Sequence, residues 1–215
     1  MAYDLYLADA TYDDVDILSD IIVKTSEGIL DYVFGTVQNL LGLDSINEFM
    51  SMALLEDKGD FSLGNITLLR CKENCDTKDR VVGLCLAYPI DSNANLLPKI
   101  ILPFISKNAK SLMKSILPVN KKNSLSFYLN TLWVDPDYRK RNLGSLFIEY
   151  LKSEAIQYNC DSIVLHCFND NASAIKFYKA NGFCLYKNIE YPTDFSSYHP
   201  QGGGLWRLSL SNESK

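Results

Sequence analysis

The chain reads as an α/β protein of the α+β type, and three observations carry that reading. An apolar run from Leu129 to Val134 stops at Pro136 and crosses a cationic turn, then enters a helical pattern with Leu143, Phe147, Tyr150 and Leu151 on one face. A second strand-like run, Ser162 to Phe168, precedes a helical stretch from Ala172 to Ala180, which Asn181-Gly182 suit as a left-handed C-cap. Ahead of both, Ile66 to Cys71 and Val81 to Ile90 read as strands around the polar turn Lys72 to Arg80.

The remaining elements follow in order. Tyr3 to Ala8 alternates as a first strand. Thr11 or Asp13 suits the N-cap of a helix to about Lys24, with Val15, Leu18 and Ile22 on one face. A second helix covers Glu27 to Leu41 with a break expected near Gly35, and a third covers Ser45 to Glu56. The segment from Ser92 to Asn130 is longer than a plain hairpin needs. No acidic residue falls between Asp91 and Asp135, while six lysines fall between Lys99 and Lys122. Within it Ile105, Ala109, Leu112 and Ile116 recur at helical spacing, with Lys107, Lys110 and Lys114 on another face, bounded by Pro103 and Pro118. Three readings stay open for this helix: a cap over the sheet, a homodimer surface, or a membrane-surface helix, against which its shortness and lack of Trp weigh. Gly202-Gly203-Gly204 precedes a strand-like run, Leu205 to Leu210, with no helix after it, so it reads as a hairpin connection and not a dinucleotide loop. Tyr198 and His199 beside it read as surface loop residues, with contact to an acceptor as the open alternative.

Composition narrows the class. With 215 residues, 47% hydrophobic and 22% charged, the whole of 1–215 is expected to form one globular domain with a sizeable core. No run reaches the roughly eighteen apolar residues of a membrane span, and Met1 to Tyr6 lacks the pattern of a signal peptide. Neither a membrane span nor a nucleic-acid partner is expected. Six cysteines without a CxxC pair, beside two histidines, make a metal site unexpected. Cys85, Cys160, Cys167 and Cys184 sit in or beside apolar runs, as reduced buried thiols do, and a cytoplasmic location fits best. The net charge of −5 hides a polarity: residues 1–60 hold thirteen Asp/Glu against two Lys, and residues 61–215 hold thirteen against nineteen Lys/Arg. An acidic rim for a cationic acceptor and a basic half for an anionic ligand is the sharper interpretation, solvated helix faces the plainer one.

The chemistry concentrates in two segments. Strand, turn and helix around Val134-Asp-Pro-Asp-Tyr-Arg139-Lys140-Arg141-Asn142-Leu143-Gly144-Ser145 leave N–H groups unsatisfied at the helix N-terminus, next to three cationic side chains. Those are the requirements of a phosphate cradle. The second segment is Asn171-Ala-Ser173-Ala-Ile-Lys-Phe177-Tyr178-Lys-Ala-Asn-Gly182-Phe183. Together they resemble the GNAT superfamily of acetyl-CoA-dependent N-acetyltransferases. The first is similar to that family's (Arg/Gln)-x-x-Gly-x-(Gly/Ala) loop, from Arg139 to Gly144, and the second to its Asn-x-x-Ala-x-x-Phe-Tyr-x-x-x-Gly-Phe signature. The likeness covers Leu129 to Tyr186. It extends to a subgroup with an insertion between the third and fourth strands, here about 92–124, which implies a helical cap. Asn142 departs from the loop pattern at its first glycine, although Asn is the side chain that tolerates αL best after Gly.

The resemblance implies a GNAT fold: a mixed, mostly antiparallel sheet of about six or seven strands, flanked by helices and splayed between strands 4 and 5. It implies transfer of an acetyl group from acetyl-CoA, as cosubstrate, to a primary amine on a small cationic molecule or a peptide, in a ternary complex without a metal. Arg139, Lys140, Arg141, Asn142, Leu143, Gly144 and Ser145 would hold the pyrophosphate. N–H groups of Leu132, Trp133 and Val134 would polarise the thioester carbonyl, beside a strand interruption. Asn171, with Ser173 near it, would bond the pantetheine arm, and Tyr178 would protonate the departing thiolate. Two adjacent aromatics do not share one helix face, so of Phe177 and Tyr178 one is expected to face the groove. No base is assigned: Tyr128 and Asn130 stand where the family often has Glu or His. A water ordered by Asn130, Glu27 and His166 all stay open. Two alternatives to catalysis are a CoA-binding regulatory module and an interaction protein using the lysine-rich helix.

Overall fold

A computed structural model describes residues 4–72, 79–90, 102–116 and 125–210. Seven strands form one sheet: β1 (Leu5–Asp9), β2 (Ile66–Cys71), β3 (Arg80–Pro89), β4 (Ser126–Val134), β5 (Ser162–Phe168), β6 (Cys184–Ile189) and β7 (Gly203–Ser209). Their order is β1-β2-β3-β4-β5-β7-β6, and every neighbouring pair is antiparallel except β4–β5. This is the mixed, mostly antiparallel sheet that the family resemblance implies. The helices are α1 (Val15–Thr25), α2 (Ile29–Leu40), α3 (Ile46–Leu54), α4 (Lys107–Ile116), α5 (Leu143–Gln157), α6 (Ala172–Ala180) and the single turn α7 (Thr193–Ser196). None of the described helices is long and apolar enough to cross a membrane.

The two faces of the sheet receive different helices because strand residues alternate between them. Leu68, Leu84, Leu86 and Tyr128 pack under α1, α2 and α3, together with Ile105 and Ala109 of the α4 segment. Leu69, Cys85, Leu129, Ile163 and Leu165 pack under α5 through Phe147, Ile148 and Leu151. Phe168, Ile189, Tyr191, Phe195 and Leu205 form a third cluster with Leu112 and Ile116 of α4. The apolar stripe of α4 is therefore satisfied inside the chain, over one end of the sheet. Its partner signal Pro118, the rest of the insertion (91–101, 117–124) and most of the turn Lys72 to Arg80 lie outside the described residues.

Several local expectations need correction. Gly35 does not break the second helix: α2 runs through it, because the buried stripe Leu30, Val33, Phe34 and Val37 outweighs a penalty of about 1 kcal/mol for one Gly. The glycine run is not one loose connection. Only Gly202 has positive φ, at +69°, while Gly203 and Gly204 are strand residues. A Cβ on Gly203 would collide with Tyr191 and His166, which explains glycine there. His199 is buried instead of lying on the surface, and Cys184 is exposed instead of buried.

Candidate active site

The site begins with one extra residue. The β3–β4 register runs Leu86 opposite Thr131, then Ala87 opposite Leu129, so Asn130 is a bulge on β4. Bulges bend a strand and raise its twist. β4 pairs with β5 only from Ser126 opposite Ser162 to Leu129 opposite Leu165. Past Asn130 the strands part, and the gap belongs to a cavity of about 1010 Å³ lined by the far half of β4, the turn after it, the end of β5, α6 and the α1–α2 turn.

Backbone donors face this gap by alternation. The Asp135 N–H bonds the Val82 carbonyl at 2.9 Å. Hydrogen-bonded and non-hydrogen-bonded pairs alternate along an antiparallel ladder, so Trp133 turns its N–H to β3 while Leu132 and Val134 turn theirs to the open edge. Trp133 still lines the cavity, with its ring packed against the core under α1–α3.

The following loop is held from within. Asp135 accepts from the Asp137 N–H at 2.9 Å and from Arg80 at 2.9 Å, and Arg139 Nε donates to the Val134 carbonyl at 3.0 Å. Lys140 and Asn142 both take the left-handed conformation, at φ 60° and 62°. Asn142 thus makes the turn where the motif has glycine. The first intrahelical bond of α5 runs from Leu146 N–H to the Asn142 carbonyl at 3.1 Å, which leaves the N–H groups of Leu143, Gly144 and Ser145 at the positive end of the helix dipole. Gly144 is needed for packing: a Cβ there would stand 2.9 Å from the Phe177 ring. Arg139, Lys140, Asn142, Leu143, Gly144 and Ser145 all line the cavity. Arg141 does not. Its guanidinium donates to the Asp137 carbonyl at 3.1 Å and lies over the Tyr138 ring.

On α6, Asn171 Oδ1 caps the helix by accepting from the Ala174 N–H at 3.0 Å, and its Nδ2 lies 3.4 Å from Glu27 Oε1. Its acceptor is therefore committed to the helix and its amide faces Glu27. Ser173 lies on the wall nearby. Phe177 and Tyr178 both line the cavity, contrary to the expectation that only one would. The wall wraps around the end of α6, so neighbouring positions reach it. Tyr178 packs edge-on against Phe177 and Phe183, and no hydrogen bond to its hydroxyl occurs among the described residues. Burial, then Cys167, Cys85 and Tyr128, push its pKa up, so it stays protonated at neutral pH.

The opposite wall carries the acidic groups. Glu27 has φ +48° and Gly28 φ +90°, which turn the chain sharply between α1 and α2. His199 stacks on Phe168 with centroids 3.7 Å apart, and its ring nitrogens face Asp170 at 3.1 Å and the Glu27 carbonyl at 3.0 Å. Partial desolvation in the turn, with Asp170 adding, raises the largely exposed Glu27 carboxyl against the opposing effects of His199 and Asn171. His166 Nε2 lies 2.7 Å from the Tyr191 hydroxyl, and burial with His199 pulls its pKa down to about 4, so it is neutral near pH 7. One wall residue belongs to no motif. Asp60 reaches the cavity beside Tyr88, Tyr128 and Asn130, and burial lifts its carboxyl to about 6. Nothing local marks it, since Glu56-Asp57-Lys58-Gly59-Asp60 reads as a polar turn.

Comparison with known proteins agrees with this architecture. The model of the acetyltransferase (GNAT) family matches residues 51–183. A stretch of 67 residues is 34% identical to N-alpha-acetyltransferase 60 of Xenopus tropicalis, spanning 30% of this chain and 28% of that protein. An N-acetyltransferase from Staphylococcus aureus Mu50 superposes with TM-score 0.60 at 14% identity, covering 94% of this chain and 100% of its own. Arabidopsis thaliana Naa50, solved with the bisubstrate analogue CoA-Ac-MVNAL, gives TM-score 0.54 at 17% identity, covering 95% and 98%. The matched span takes in the bulged strand, the α5 loop and α6 together, and the chain belongs to the GNAT acetyltransferase family.

Proposed function

We propose that this protein transfers an acetyl group from acetyl-CoA to a primary amine, with a peptide α-amine as the favoured acceptor and a small cationic amine as the other class. The observation that carries this is the bulge at Asn130. It parts β4 from β5 and aims the Leu132 and Val134 N–H groups at the gap where a thioester carbonyl gains negative charge. At one end of the same cavity the Leu143, Gly144 and Ser145 N–H groups, with Arg139 and Lys140, receive the pyrophosphate. Tyr178 stands in the wall between, protonated and without a competing hydrogen bond among the described residues, to donate to the leaving thiolate. The relative and the neighbour named for α-amine and peptide chemistry support the peptide class.

Two measurements test this. Acetyl-CoA at one hundred times its Kd is expected to stabilise the protein by roughly 2.7 kcal/mol in a heat-shift assay. Thiol release from acetyl-CoA is then expected with the peptide Met-Val-Asn-Ala-Leu, lysine or a short polyamine. A folded protein indifferent to CoA overturns the reading. CoA binding without thiol release leaves a CoA-binding regulatory module in its place.

A further inference from the structure

Asp60 lies in the cavity wall, next to the bulge that shapes the reaction gap. Tyr88 and Asn130 line the same cavity as Asp60, and the Tyr88 hydroxyl acts to lower the Asp60 carboxyl against the larger effect of burial. Tyr88 is buried on β3, and its register partner Tyr128 packs against it with ring centroids 5.8 Å apart. Asn130, Tyr88 and Asp60 therefore form a chain of polar side chains in the cavity wall, with the carboxylate at one end. Such a chain is costly to bury without a task, since polar groups withdrawn from water need partners. The task the reaction lacks is removal of a proton from the acceptor, because an α-ammonium titrates near 7.7–8.0 and an alkylammonium near 10.4.

We propose that Asp60 is the proton acceptor for the incoming amine, an assignment that rests on the acetyl-transfer reading above. The ammonium N–H bond breaks, an Asp60 Oδ–H bond forms, and the electron pair stays on nitrogen to attack the acetyl carbon. The second nitrogen proton, released after attack, replaces the one that Tyr178 gives to sulfur. Asp60 then loses its proton to water through the cavity. The other basic groups on the wall fit less well. His166 Nε2 is paired with Tyr191, and Glu27 is exposed beside Asn171. Among the described residues, the titratable groups that face Asp60 are Tyr88 from β3 and Tyr128 from β4. Both tyrosines are held protonated by burial, so Asp60 is the group among them that titrates near neutrality.

The test uses the intact protein, acetyl-CoA and Met-Val-Asn-Ala-Leu. In the wild type, kcat/KM is expected to rise through about pH 6. Asp60→Asn is expected to lower it about 10²-fold at pH 7. The acid limb should then move to the amine's own range, with the Kd for CoA unchanged. Tyr88→Phe removes the hydroxyl that steadies the carboxylate and is expected to move the limb to higher pH. Asp60→Asn is also expected to melt higher than the wild type at pH 7.5 and not at pH 4. A raised carboxyl contributes stability fully below its unfolded value of 3.8 and loses it as pH rises through about 6. A variant within about threefold of wild type with its limb unmoved overturns the assignment, as does a limb unmoved by Tyr88→Phe. A wild type that binds CoA but releases no thiol overturns the transfer reading and this one together.

Discussion

Tyr178 carries the narrowest chemical role in the proposed reaction, and its surroundings make the role testable. Tyr178→Phe keeps the edge-on packing with Phe177 and Phe183 and removes only the hydroxyl. General acid catalysis contributes typically 10²–10⁴-fold, so kcat is expected to fall by about that factor while the Kd for acetyl-CoA holds. Turnover within about threefold of wild type would make Tyr178 a packing residue. Asn142 offers a second single-residue test. It holds φ 62° with no side-chain cap bond, at the entrance to α5. Asn142→Gly relieves the left-handed backbone and removes the amide from the pyrophosphate approach, and is expected to tighten CoA binding in calorimetry. An unchanged or weaker Kd removes crowding as an explanation.

One buried ion pair ties α1 to the sheet. Asp14 is fully buried just before α1 and pairs with Arg70 of β2 at 2.6 Å, while the Thr11 N–H and hydroxyl donate to the same carboxylate at 3.0 and 2.9 Å. Burial works to raise the Asp14 carboxyl, but Arg70 and Thr11 outweigh it and hold it below the usual range. This pair anchors α1, and through it the α1–α2 turn that walls the cavity. Arg70→Met leaves a buried charge without its cation and is expected to lower the unfolding free energy by about 3–5 kcal/mol at pH 7, measured by urea denaturation. A depressed carboxyl contributes stability above its unfolded value of 3.8 and loses it as pH falls through the folded one. The gap between variant and wild type should therefore narrow in acid. A loss below 1 kcal/mol at pH 7 would show that packing alone holds α1.

The charge polarity of the chain becomes spatial in the molecule. Asp16, Asp20, Asp31 and Glu48 ride on α1, α2 and α3 over one face of the sheet, seven more acidic residues lie in the turns before, between and after them, and Glu27 among these brings charge to the cavity. Arg139 and Lys140 stand in the loop at the start of α5, on the other face. Such a field favours a cationic acceptor from the helical side and an anionic ligand at the loop. The apparent KM for a cationic acceptor is expected to rise as salt is raised past 0.15 M, where screening has shortened the range to about 8 Å. A flat salt profile, or a neutral acceptor that reacts as well, would make the acidic helices solvated faces only.

Local chemistry makes much of this protein legible in its sequence. Short-range rules place strand, cationic turn and helix around Arg139, the C-cap at Asn181-Gly182 and the left-handed conformation of Asn142, because these depend on near neighbours in the chain. Element boundaries fell within a few residues where apolar periodicity was strong, and failed at Gly35, where packing of a stripe overruled the propensity of one residue. What lies far apart in sequence was not legible. The bulge at Asn130 is a mismatch of register between two strands, and a register exists only once both strands are paired. His199 reads as a loop residue until Phe168, Asp170 and Glu27 close around it. Asp60, lacking any motif, acquires its raised pKa only when β3 and β4 surround it, since desolvation is a property of the folded environment and not of the chain.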